Sequence, residues 1–303
     1  PVPTTLDEDV VVLSDSDNGP TPVWRPPALE PPLSRDPFGR DHYWFHRPVE
    51  ANANNAILFF YAYGSDGPDK ENPWRIHHGI DFPNPVGETV RAAADGVVLH
   101  GAGDGLFQNT ASYGNVVFIQ HDFGYNGQTL YTLYAHLSRA LVRSGERVNA
   151  GDVIGLIGDT GNVSGPHVHF EVRMGGDRYR DTYNPLLWMV PYVGHGVIAG
   201  RVVDEEGRFI EDAEVTIRNW ATGLLLESSP TVTTYVFNDT GSDVQPDPRW
   251  NENFVVPDVP IGKYELITTI DGVRIAEVVE VFEGRTSFVE LRPPVPTPST
   301  DSP

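Results

Sequence analysis

At 303 residues with 39% hydrophobic content, the chain has enough apolar material for about two globular domains. Its 42 acids against 21 bases, a formal net charge of −21, argue against a nucleic-acid partner and against adhesion to anionic lipid, because both call for basic surface. Cysteine is absent, which removes disulfides and thiolate chemistry, and no apolar run approaches the roughly 20 residues of a membrane-spanning helix.

Residues 1–34 are interrupted by Pro1, Pro3, Pro20, Pro22, Pro26, Pro27, Pro31 and Pro32 and read as a linker or tail, with one strand-like run, VVVL, at 10–13. The chain opens on Pro1 without a basic-then-apolar leader, so the expectation is that a signal peptide has been removed or the chain trimmed. From 35 to 192 come short apolar runs: NAILFFYAYG, ADGVVLHGAG, GNVVFIQHDFG, TLYTLYAHL, GDVIGLIGDTG and HVHFEVRM. Gly, Asn, Asp or Pro closes each at intervals of eight to twelve residues, which predicts an all-β fold. The best short helix candidate is NPLLWMV (184–190), where Pro follows a possible Asn cap. A boundary falls near 190–196. Residues 195–292 again read as strands closed by Gly or Asp turns and predict a β-sandwich. The closing segment 293–303 is a second Pro/Ser/Thr tail.

Two stretches carry chemistry. In SGPHVHFEV (164–172), a strand places His167, His169 and Glu171 on one face and Val168, Phe170 and Val172 on the other. In WRIHHGIDF (74–82), a strand places His77, Gly79 and Asp81 opposite a mostly apolar face. Alternation therefore prefers His77 to His78 as the partner of Asp81, although spacing alone leaves that choice open. His77, Asp81 and His169 make the N,O,N donor set of zinc, and three protein ligands leave a position open for chemistry, where the metal lowers the pKa of bound water to about 7. His167 shares the face of His169 and is placed to shuttle a proton. His136, in LYAHLS, is a second candidate, for the developing oxyanion or for holding the water, and the expectation taken is that it stabilises the oxyanion. Glu171 reads mainly as a surface glutamate and secondarily as an orienter of an imidazole. His42, His46, His100, His121 and His195 read as structural or solvated.

HHGID, YAHL and GPHVHFEV, in that order and spacing, resemble the lysostaphin/LytM-type zinc metallopeptidases of peptidase family M23, over roughly residues 40–190. The resemblance implies an antiparallel β-sheet groove walled by loops, with Zn2+ on its floor held by His77, Asp81 and His169, and with His167 and His136 as the catalytic pair. It further implies a secreted or cell-envelope bacterial enzyme cutting peptide bonds in peptidoglycan cross-bridges or stem peptides, without nucleic acid or membrane insertion. A narrow groove suits substrate glycine, whose backbone enters without a side chain. The alternatives are a non-hydrolytic envelope binding or regulatory protein and a protease of Gly-rich proteins. Segments 62–74 and 100–115 are expected to wall the groove. GAGDGL (101–106) lacks the following Lys-Ser/Thr helix of a phosphate loop, and the acidic run at 239–247 lacks the calcium-loop pattern. GRVVDEEGRFIEDAEVTI and FVVPDVPIGKYEL resemble carboxypeptidase-regulatory-like, transthyretin-like sandwiches, which implies a spacer or adhesion module at 195–292.

Overall fold

The computed structural model describes residues 39–237 and 244–294. The tail at 1–34 with its run at 10–13, residues 239–243 of the acidic run, and residues 295–303 lie outside that description. Every regular element among the described residues is a strand or a single 3-10 turn. Ten strands precede the boundary: β1 (Ile80–Pro83), β2 (Thr89–Arg91), β3 (Gly96–His100), β4 (Asn115–Tyr125), β5 (Gln128–Leu137), β6 (Arg139–Ala140), β7 (Arg147–Val148), β8 (Val153–Leu156), β9 (His167–Met174) and β10 (Thr182–Tyr183). Seven form one antiparallel sheet in the order β1-β9-β5-β4-β3-β7, with β10 also on β9, while β2-β8-β6 form a small second sheet. The long pair β4–β5 closes on a two-residue Asn126-Gly127 turn, both residues left-handed with φ of 51° and 74°.

Alternation sorts the sheet into two faces. Val117, Ile119, Leu130, Tyr134, Val168, Phe170 and Val172 enter the main core. Val116, Phe118, Leu133 and Ala135 face the other way, beneath Phe107 and Tyr113 from the 100–115 segment. His167, His169, Glu171 and Arg173 belong to this second face by the same period of two. The helix candidate at 184–190 shortens to one 3-10 turn, Pro185–Leu187, capped by the Asn184 side chain accepting from the Leu186 amide at 3.0 Å. The chain then extends, because Met189 bridges to Phe45.

After the boundary come β11 (His195–Val202), β12 (Glu214–Asn219), β13 (Thr231–Thr233), β14 (Phe254–Pro260), β15 (Gly262–Ile270), β16 (Val273–Val281) and β17 (Thr286–Leu291). They form two sheets, β14-β11-β17 and β13-β12-β15-β16, with one parallel pair, β11–β17. Ile198, Val256 and Leu291 of the first sheet pack with Ile217, Leu266 and Val279 of the second. The two units also share apolar contact, because Val197, Ala199, Tyr235, Trp250 and Val255 join the core that holds Phe45 and Trp188. Tyr235 donates to the buried Glu252 at 3.0 Å and accepts from the Asn184 amide at 2.8 Å, and the Val236 amide donates to the Gly64 carbonyl at 2.8 Å.

His121 on β4 is wholly buried. Its Nδ1–H donates to the Asp95 carbonyl at 3.0 Å and its Nε2 lies 2.8 Å from the Thr132 hydroxyl. Burial lowers its pKa from 6.5 to about 4. The neutral ring is the folded form, so its contribution is fully present above pH 6.5 and is lost as pH falls toward 4, roughly 3 kcal/mol in all. Urea unfolding at pH 7 and pH 4.5 is expected to show this loss, and His121→Gln is expected to flatten that part of the profile. An unchanged slope in the variant would contradict the assignment.

Candidate metal centre

Three chain segments meet in the groove. Asp81 stands on β1, paired opposite His169 of β9. The sequence reading of 74–82 as one strand is corrected here, since β1 begins only at Ile80 and His77 lies in the approach to it. His77 is held from the other side: its amide donates to the Ser65 carbonyl at 3.0 Å and its carbonyl accepts from the Gly64 amide at 2.8 Å. Gly79 permits this crossing. A Cβ there would sit 2.4 Å from the Phe170 carbonyl oxygen and 2.7 Å from His169 Cε1.

The donor atoms converge. His77 Nε2 is 3.0 Å from His169 Nδ1 and 3.2 Å from Asp81 Oδ1, and His169 Nδ1 is 2.9 Å from the same oxygen. Among the described residues, these three form the group with donors close enough to hold one ion. Their exposures are 4%, 4% and 6%, so no sheath of water satisfies them. Tetrahedral ligands at 2.0–2.2 Å from zinc stand about 3.3–3.6 Å apart. The observed spacings fall slightly inside that, and two nitrogens plus one carboxylate suit a divalent cation.

Each imidazole has its other nitrogen tied. His77 Nδ1–H donates to the Tyr61 carbonyl at 2.7 Å, and the Tyr61 ring stacks on His77 at 4.2 Å and 8°. His169 Nε2–H donates to Glu171 Oε1 at 3.0 Å. These bonds fix which nitrogen of each ring faces the other donors. Glu171 is fully buried rather than a surface residue. It also accepts from Arg173 Nε at 2.6 Å and from the Tyr113 hydroxyl at 2.7 Å, and Arg173 reaches the Tyr113 oxygen at 2.8 Å. No spacing rule foretold this, because Tyr113 comes from a distant segment.

Burial alone would raise the Asp81 carboxyl, but the His77 and His169 imidazoles hold it well below the usual carboxylate range. Burial would likewise lower His169, yet Asp81 and Glu171 raise it to about 9. The anionic surroundings that favour a proton there are those that attract a cation.

His167 and His136 complete the groove floor. His167 Nδ1–H donates to the Gly165 carbonyl at 2.8 Å, leaving Nε2 as a base 3.5 Å from Asp81 Oδ1. Strict alternation along β5 would point His136 into the core beside Tyr134. Instead, the register shifts opposite Val116, and His136 takes a left-handed φ of 61°. The bulge turns the ring into the groove, 4.8 Å from the His167 ring and 5.7 Å from that of His169. Its Nδ1–H donates to the Thr160 carbonyl at 2.9 Å. Burial, then the neighbouring His169 and His167, push its pKa down to about 3, and burial also lowers His167. Both rings are therefore neutral bases at Nε2. His78 also lines the groove but is not among the converging donors, and its ring packs against Tyr179 at 5.0 Å.

The groove has a volume of about 710 Å³. Tyr61, Trp74, Arg75, Ser112, Tyr113 and Asn162 help to wall it. The 100–115 segment thus contributes a wall, and its Gly101–Leu106 part lines an adjoining cavity.

Residues 75–181 match the model of Peptidase family M23 and constitute an M23 peptidase domain. Among curated proteins, the chain is 45% identical over 118 residues to the DD-carboxypeptidase/endopeptidase Mpg of Neisseria meningitidis serogroup B, covering 39% of this chain and 24% of that protein. It is 43% identical over 100 residues to the peptidoglycan DD-endopeptidase ShyA of Vibrio cholerae, covering 33% of this chain and 21% of that protein. The match thus spans about a quarter of the length of these relatives. Among solved structures, the catalytic domain of the antimicrobial peptidase lysostaphin from Staphylococcus simulans aligns at 26% identity and a TM-score of 0.35, covering 42% of this chain and 86% of that one.

Proposed function

We propose that this M23 domain, taken as residues 35–192, is a zinc-dependent endopeptidase acting on peptide bonds of peptidoglycan in the bacterial envelope. The observation that carries the reading is the meeting of His77 Nε2, Asp81 Oδ1 and His169 Nδ1 beside two neutral imidazoles in an open groove. The names of the relatives support the substrate class. No helix among the described residues is long and apolar enough to cross a membrane.

His77, Asp81 and His169 would hold the ion. When bound, the ion supplies an acidified water and a Lewis acid for the scissile carbonyl. His167 Nε2 takes the proton of the attacking water and returns it to the leaving amine. His136, with Nδ1–H committed to Thr160, presents Nε2 as an acceptor, which favours holding the water over donating to an oxyanion. Only a protonated ring at either position can donate to the tetrahedral oxygen. Glu171, tied to Arg173 and Tyr113, keeps His169 oriented and does not touch substrate. Residues 195–292 are read as a carboxypeptidase-regulatory-like sandwich appended to the enzyme.

The test digests purified peptidoglycan beside a Gly-rich polypeptide, with zinc supplied, and identifies released fragments by mass spectrometry. Fragments from peptidoglycan that vanish with chelator are expected. Products from the polypeptide alone would shift the substrate class, and binding without products would sink the hydrolase reading.

A further inference from the structure

Many of the cations of this acidic chain, among them Arg47, Arg91, Arg147, Arg173, Arg201 and Arg218, pair with a carboxylate. Arg75 instead lies along the groove wall, with Nη1 donating to the Ser112 hydroxyl at 3.2 Å and Nη2 to the Tyr179 hydroxyl at 3.0 Å. Its guanidinium carbon lies 5.4 Å from the centre of the Tyr179 ring. These partners are neutral, and among the described residues no carboxylate pairs with it. Ser112 and Tyr179 come from segments distant in sequence, and two hydrogen bonds to them hold the fork in place. Two of its five N–H groups are engaged, leaving three donors.

The position is close to the chemistry. Tyr179 stacks on Tyr113 at 5.6 Å and 19°, and the Tyr113 ring is 6.0 Å from His169. Among the described residues, Arg75 is also the single Lys or Arg lining the groove. A chain with a net charge of −21 repels acidic ligands at long range. A preset guanidinium is the local feature that reverses this, and its fork matches a carboxylate in two parallel bonds.

We propose that Arg75 is the specificity-determining residue of the groove and binds a free carboxylate of the substrate peptide flanking the scissile bond. This rests on the peptidase reading and names the class of peptide preferred, an acidic stem peptide over its amidated counterpart.

The test uses the full chain and matched cross-linked stem-peptide dimers, one with free carboxyls beside the scissile bond and one with those carboxyls amidated. Calorimetric binding to the wild type is expected to favour the free acid by about 10- to 100-fold, the range of a hydrogen bond to a charged group. Arg75→Gln is expected to bind both dimers equally with its metal content intact, and Arg75→Lys to recover part of the preference. Equal binding by the wild type, or an undiminished preference in Arg75→Gln, would overturn the assignment. Binding is read by calorimetry on metal-free protein and cleavage by a separate assay with zinc, so the two readings fail separately. Preference without cleavage defeats the peptidase, and cleavage without preference defeats Arg75.

Discussion

Alanine at His169 or Asp81 is expected to reduce bound metal to trace levels and to abolish turnover, whereas alanine at His167 or His136 keeps the metal and lowers kcat roughly 10²- to 10⁴-fold. The difference follows from which atoms face the ion. His169 Nδ1 lies within 3.0 Å of both other donors, so its loss leaves a two-point site. His167 and His136 each give their Nδ1–H to a backbone carbonyl and contribute only a basic Nε2. Metal analysis of the purified variants, paired with a peptide-cleavage assay, separates the two groups. Full activity in His167→Ala would end its role as proton carrier, and metal loss in that variant would make it a ligand. If the two bases act as a unit, the double variant falls little below the worse single one.

Arg173→Met is expected to destabilise the fold by about 3–5 kcal/mol, the cost of stranding a buried charge. Arg173 and Glu171 both have no side-chain exposure, and their pairing spans 2.6 Å. Without the guanidinium, the Glu171 carboxylate keeps only His169 and Tyr113 as donors in a dry site. For a chain of this size the thermal midpoint should fall by roughly 10 °C. The double variant Glu171→Gln/Arg173→Met should be less destabilised than Arg173→Met alone, because no orphan charge remains. Urea unfolding of the three proteins reads the comparison, and unaltered stability in Arg173→Met would refute it.

The floor of the groove was legible because a strand's period of two is strict. His167 and His169 share a face with no knowledge of the fold, whereas the preference for His77 over His78 rested on an alternation that does not extend back past Ile80. The turns were legible for a similar reason, as at Asn126-Gly127. What escaped depends on contacts between distant segments. Glu171 looks like an exposed glutamate until Tyr113, 58 positions away, closes over it. The orientation of His136 depends on a bulge, and alternation alone would have sent it into the core. His77 reaches its place through Ser65 and Gly64 instead of a continuous strand, because the ladder it was assigned to starts three residues later.

That last route has a mechanical meaning. The Val236 amide holds Gly64, and Gly64 in turn holds the carbonyl of His77. Both links are 2.8 Å backbone hydrogen bonds, so a displacement of the backbone at Val236 is passed through Gly64 to the carbonyl of His77 on the groove floor.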